Sequence, residues 1–244
     1  MITPKRNTGW LDFHPSGVPA GIVFDGQIDD VLKLVETFPA QIGHTVEELS
    51  LIGVVAYFEG FCKNHTAAIL NICPHLVREL NKSGRDIKLS PVDVLDHADN
   101  LPTLFGSLVV EKIDFGTAKS INGLYRDMLK ITPLSKREAD KFHALLEDRN
   151  VIVHHGNILT PKYSSERFIK REIGCSRMFF DSLVVSRKNV QDAAEFLHDL
   201  SIKLRKATKV ALSKYVATTK LRLAKANRKA IDILDVMQPR EDNM

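Results

Sequence analysis

The sequence predicts an all-α protein with little or no sheet, and three observations carry that reading. Two capping boxes, Thr45 with Glu48 and Ser135 with Glu138, stand in front of long apolar patterns with helical spacing. From Arg187 to Met237 the chain runs without a Gly or Pro. Only "RFIKREIGCSRMFFDSLVVS", Arg167 to Ser186, gathers the β-branched and aromatic residues of a strand pair. A chain of 244 residues, 44% hydrophobic and 26% charged, has the composition of a globular protein with room for one domain and an appendage.

The elements follow in order. Pro4, Pro15 and Pro19 with Gly9, Gly17 and Gly21 break regular structure, so residues 1–26 read as an extended N-terminal arm. A short helix is expected from Ile28 to Phe38, then a long central one from the Thr45 box to Pro74. Further helices are expected in "PHLVRELNKSG", in "SPVDVLDHAD" with Ser90 as cap and Pro91 in the first turn, and in "TAKSINGLYRDMLKI". The Ser135 box and Gly156 bracket a helix of about 20 residues, whose Ala139, Phe142, Leu146 and Val153 should face the core. Ser186 opens a helical stretch of one very long helix or two in sequence. The domain reading is an arm (1–26), a helical-bundle domain (27–209) and a basic helical C-terminal extension (210–244).

Several function classes lose support at this stage. "MITPKRNTGWLDF" has no signal-peptide core, and the richest apolar run, "LSLIGVVAYFEGF", meets Glu59 well short of the roughly 20 residues that span a membrane. A soluble, cytoplasmic protein without membrane attachment is therefore expected. Cys62, Cys73 and Cys175 form no CxxC pair, which points to reduced, buried thiols rather than a disulfide framework or zinc knuckle. No glycine-rich phosphate loop is present, and His143, Glu147 and His154 fit no H-E-x-x-H or Glu-x-x-His pattern, so no cofactor or metal is expected. The net charge of +4 conceals a block from Lys203 to Lys229 with ten Lys and Arg and no acid. Its first cations, Lys203, Arg205, Lys206 and Lys209, are candidates for an RNA backbone, or else for a solvated helix face.

The chemistry concentrates in "LLEDRNVIVHHGN", Leu145 to Asn157. At 100° per residue, Phe142, Leu146 and Val153 share one stripe with the stem of Arg149, and His143, Glu147, Asn150 and His154 share another. Arg149 and His154 lie roughly 140° apart on one helix. A site using both needs the reach of Arg149, fraying near Gly156, or a second copy, which favours a dimer. Histidine titrates near neutrality and can move the proton of a ribose hydroxyl or a leaving oxygen, while arginine offers a fixed fork to phosphate. Glu59, in an apolar helix, needs a partner if buried, and Arg149 is the natural one. His143 and Glu147 are spaced as a surface pair.

"RNVIVHHG" at a helix end resembles the R-N-x-x-x-H form of the HEPN superfamily motif, and "AYFEGFCKNH" is similar to the family's first long helix, where an acidic residue, here Glu59, faces the site. The resemblance covers roughly Thr45 to Lys209. A bare Arg-to-His spacing arises about 1.5 times by chance in such a chain, and Arg137 with His143 also satisfies it. The Asn after Arg149 and the position before Gly156 carry the likeness. It implies a HEPN-like bundle and metal-independent RNA cleavage by 2′-hydroxyl attack at a composite dimer-interface site, as in toxins and antiviral defence effectors. Arg149 and His154 would be catalytic, with Asn150, Glu59, Glu147, His143 and His155 in support. Its implied partners are an RNA substrate, a second copy, and an antitoxin or regulatory protein. The alternative is a non-catalytic HEPN-like module that binds RNA or protein.

Overall fold

The computed structural model describes residues 9–38, 43–161, 163–164, 178–179 and 182–237. Pro4, Cys175, Pro239 and most of the segment expected as a strand pair lie outside them. A 3-10 turn (Trp10–Phe13) precedes α1 (Ala20–Thr37), α2 (Gly43–Ile72), α3 (Leu76–Lys82), α4 (Pro91–Asp96), α5 (Leu101–Val110), α6 (Ala118–Leu129) and α7 (Lys136–His155). Two-residue strands β1 (Met178–Phe179) and β2 (Ser182–Leu183) pair antiparallel, and α8 (Arg187–Thr218) and α9 (Lys225–Asp232) complete the chain. The protein is all-α.

Helix α2 is the axis. Leu51, Val54, Val55, Phe58, Cys62, Ile69, Leu70 and Ile72 are all fully buried, because α1, α5, α7 and α8 cover it from different sides. A helix apolar around most of its circumference is stable only when enclosed in this way. Phe58 meets Phe24 of α1 and Phe142 of α7 edge-on, at centroid separations of 5.9 and 5.3 Å. Near the far end, Asn71 fixes two neighbours at once: its amide nitrogen donates to the carbonyls of Phe13 and Thr103, and its oxygen accepts from the Gly106 N–H. A Cβ at Gly106 would lie 1.9 Å from the Ala67 carbonyl oxygen, so α5 can cross α2 this closely only through glycine.

The extended-arm expectation is corrected for residues 9–26; residues 1–8 lie outside the described residues. Helix α1 begins at Ala20 behind Pro19, and Phe13, Ala20 and Phe24 belong to the core. Proline is compatible with a helix start, and Gly21 leaves room for the buried Arg205 side chain, whose Nη1 would stand 2.2 Å from a Cβ there. Thr45 is not a cap: α2 starts at Gly43, and Glu48 accepts a hydrogen bond from Asn157 Nδ2 at 2.7 Å. Helix α5 has no counterpart in the sequence reading. The expected boundary at 26/27 falls inside α1 and that at 209/210 inside the unbroken α8.

The C-terminal stretch divides after Thr218. Lys220 takes a left-handed turn, φ 52°, and α9 folds back so that Ala230, Ile231 and Leu234 enter the core. Asn227 donates to the Ile72 carbonyl, and Lys229 sits 4.7 Å from the ring centre of Trp10. Cys62 and Cys73 are buried free thiols, and burial raises both thiol pKa values, that of Cys73 to about 11.

Under α1 and α8 lies a polar core that no local pattern announces. Arg205 is fully buried and donates from both terminal nitrogens to Asp25, at 3.1 and 2.9 Å, and onward to the Val236 carbonyl and Ser201. His198 approaches Asp25 at 3.4 Å. His65, stacked on Phe61 at 5.4 Å, and His14 are buried with ring nitrogens lacking a hydrogen-bond partner among the described residues. Burial lowers His14 from 6.5 to about 4; burial, aided by the nearby Arg205 charge, lowers His65 to about 3.

That pair sets a pH dependence. Below pH 6.5 the unfolded chain protonates both imidazoles, whereas the folded chain does so only near pH 4 and 3. The unfolded state therefore binds more protons, and stability falls as pH drops through this window. Urea midpoints should fall steadily from about pH 7 to about pH 4.5, with a shallower slope for His65→Leu. Equal slopes for the two proteins would remove His65 from the explanation.

Candidate functional site

Helix α7 is defined at both ends. The Ser135 hydroxyl accepts the Glu138 N–H, and the Glu138 carboxylate accepts the Ser135 N–H at 2.7 Å. At the other end Gly156 takes the left-handed conformation, φ 54°, and Asn157 follows it at φ 68°. The sequence reading of this helix therefore holds at both termini.

Its buried face carries Phe142, Leu145, Leu146, Asp148 and Val151, with Asp148 accepting the Tyr163 hydroxyl at 2.7 Å. Ala139 is half-buried against the core, as expected. Val153 departs from expectation at 48% exposed. It shares a direction with Phe142 and Leu146 yet stays open to solvent at the last turn of α7, although α2 continues alongside to Glu48, which bonds Asn157. The consequence is a solvent-facing arc. Going round the helix at 100° per residue, Arg149, Val153, Asn150 and His154 follow one another across roughly 140°.

Arg149 donates from Nη2 to Glu59 Oε1 at 2.9 Å, joining α7 to the middle of α2, and both side chains are 26% exposed. Glu59 is pushed above the usual carboxylate range: burial raises it, Arg149 opposes that, and Asp114 adds to it. The net upward direction means that desolvation outweighs the ion pair. The α5–α6 loop comes close here, since a Cβ on Gly116 would stand 3.8 Å from Glu59 Oε1.

The remaining sequence candidates divide. Asn150, His154 and His155 are exposed. Among the described residues no hydrogen bond or ion pair joins Arg149 to His154. His143 and Glu147 form their i, i+4 pair at 3.2 Å on an exposed face. The basic block does not act as one surface, because consecutive cations on α8 point in different directions. Arg205 is inside the core, which removes it as an RNA contact. Lys203 is held by Glu138 at 2.6 Å and Lys209 by Asp235 at 2.7 Å. Lys206 alone of the four stays exposed without an ion pair among the described residues.

A second cationic feature went unseen in the sequence. Arg85, Lys112, Lys119 and Arg126, with Asp86 and Asp114, line an open groove of about 830 Å³. Three separate segments supply these side chains, so no charge run marks them. Asp114, whose charge is felt at Glu59, connects the groove to the Arg149 pair. Among the described residues no group of three or more His, Cys, Asp or Glu side chains is placed to hold a metal ion, and no helix is long and apolar enough to cross a membrane. No family model, curated protein or solved structure matches the chain.

Proposed function

We propose that the protein is a metal-independent endoribonuclease whose site is completed by two copies of the chain meeting at the C-terminal turn of α7. The observation that carries this reading is the exposed arc of Arg149, Val153, Asn150 and His154, with Arg149 held at its edge by Glu59. Two such arcs, brought together across the exposed Val153, supply two imidazoles and two guanidinium groups to one cleft. One His154 takes the proton from a ribose 2′-hydroxyl as the 2′-oxygen attacks phosphorus. The other donates a proton to the departing 5′-oxygen. The products are a 2′,3′-cyclic phosphate and a 5′-hydroxyl. Arg149 stabilises the negative charge that grows on the phosphate, Asn150 orients or donates beside it, and Glu59 positions Arg149.

In the groove Arg85 and Arg126 share Asp127, whereas Lys112 and Lys119 have no ion pair among the described residues, so these two lysines suit the flanking RNA backbone better than the engaged Lys203, Arg205 and Lys209 do. The R-N-x-x-x-H likeness further suits a toxin or antiviral defence effector in the cytoplasm, restrained by a partner protein. A second reading draws on the same ion pair: Arg149 is already satisfied by Glu59, as fits a module that binds RNA or protein without cutting.

Incubating the full chain with single-stranded RNA in EDTA separates the two. New 2′,3′-cyclic phosphate ends are expected under the ribonuclease reading. Binding without new ends would select the non-catalytic module, and absence of both would remove RNA from the account.

A further inference from the structure

Between the end of α6 and the second half of α8 lies an open groove of about 720 Å³. Met128, Ile131, Val210 and Tyr215 form its apolar floor, and Val210 is 70% exposed. Along α8 it runs from Lys206 to Thr219, roughly 20 Å at 1.5 Å per residue. Lys130, Lys206 and Lys214 line its rim, and none is in a salt bridge among the described residues. Glu79, the acid at this groove, is held by Lys82 at 2.9 Å. Lys130 donates to the Asp127 carbonyl at 3.0 Å, and a contiguous apolar surface ringed by charge of one sign is the usual mark of a contact face.

The complement is on the same chain. Helix α4 buries none of its residues, and its apolar pair faces outward, with Val92 61% and Leu95 74% exposed. At i, i+3 these two share a face. Asp93, Asp96 and Asp99 flank them, and none is in a salt bridge among the described residues. An apolar ridge edged by three carboxylates thus matches an apolar trough edged by three ammonium groups. Within one copy both remain open to solvent, so they do not satisfy each other.

We propose that α4 of one copy seats in the α6/α8 groove of a second copy, with Val92 and Leu95 against Val210 and the aspartates facing Lys130, Lys206 and Lys214. Groove against groove would set three lysines against three, which the charge pattern forbids. The contact is separate from the α7 arc. Helices α7 and α8 run antiparallel, with Glu138 on Lys203 and Lys141 over Phe196, so the groove lies beyond the N-terminal end of α7, away from His154. The inference does not rest on RNA cleavage: an assembly indifferent to changes in α4 and the groove would end it and leave the α7 pairing standing.

Sedimentation of the full chain over a range of concentration and salt tests it. Self-association that weakens with salt is expected, with Leu95→Asp and Val210→Asp each raising its Kd at least about tenfold. Two charge-reversed chains give the sharper result: Lys206→Glu with Lys214→Glu in one, Asp93→Lys with Asp96→Lys in the other. Each alone sets like charge against like and should form nothing larger than the α7-mediated pair, whereas an equimolar mixture should associate further. A chain that is monomeric at every concentration, or an assembly indifferent to Leu95→Asp and Val210→Asp, overturns the proposal. Loss of association on Val210→Asp without recovery in the mixture would put a different occupant in the groove and overturn it equally.

Discussion

If the chain is the proposed ribonuclease, Arg149→Ala and His154→Ala should each lower RNA cleavage by at least about a thousandfold, with helix content retained and Tm lowered by a few degrees at most. Removing the general acid or base, or the cation that holds the phosphate, takes away an interaction made chiefly in the transition state, so turnover drops more than substrate affinity. The small stability effect follows from location: His154 is exposed and the Arg149–Glu59 pair is about one-quarter exposed, where an ion pair contributes little. Glu59→Gln, which weakens the hold on Arg149 without removing it, should cost about tenfold. His143→Ala should change nothing, because His143, although on the same stripe as Asn150 and His154, pairs with Glu147 and lies roughly 16 Å along the helix from His154. Undiminished cleavage by either Arg149→Ala or His154→Ala would end the ribonuclease reading.

The largest stability effect is expected far from that arc. Asp25→Ala strips the fully buried Arg205 guanidinium of its carboxylate and should destabilise the protein by about 3–5 kcal/mol, which for a chain this long lowers Tm by about 10 °C. The Ser201 hydroxyl and the Val236 carbonyl remain as neutral acceptors and keep the loss from being larger. Replacing both partners, Asp25→Leu with Arg205→Met, should recover most of it, because the desolvation cost of two charges disappears together with their attraction. Guanidinium denaturation of the single and double variants makes the comparison. A cost below about 1 kcal/mol for Asp25→Ala would mean that water reaches this pair and that the buried ion pair is not what ties α1 to α8.

Local signals account for what the sequence showed of this fold. Helix α7 was legible because both of its ends are written in short-range chemistry, the Ser135–Glu138 exchange and the left-handed Gly156. The start of α8 was legible through Ser186. The start of α1 was not: Pro19 and Gly21 read as breakers, yet one is an acceptable helix start and the other is there for a guanidinium 184 positions downstream, at Arg205. Helix α5 was missed because its Gly106 reads as a weakness until α2 is seen crossing it. For the site, the Glu59–Arg149 pair was anticipated from the need of a buried carboxylate for a partner. The fate of the basic block was not, because the carboxylates that engage it, on Asp25, Glu138 and Asp235, come from three other parts of the chain. The exposure of Val153 was equally invisible, since periodicity gives a direction around a helix and not what stands against each turn.

The return of α9 onto the first turn also governs when the molecule can become itself during synthesis. Trp10 is made about 220 residues before the residues that close over it, Lys229, Ala230 and Ile231. At about 5–20 residues per second, about 10–50 s separate the two. Through that interval the amino-terminal turn has no finished place to rest, and the Val236 carbonyl that completes the Arg205 cluster does not yet exist. Nascent chains are thereby held short of the native state until α9 has been made, a delay built into the order of the residues.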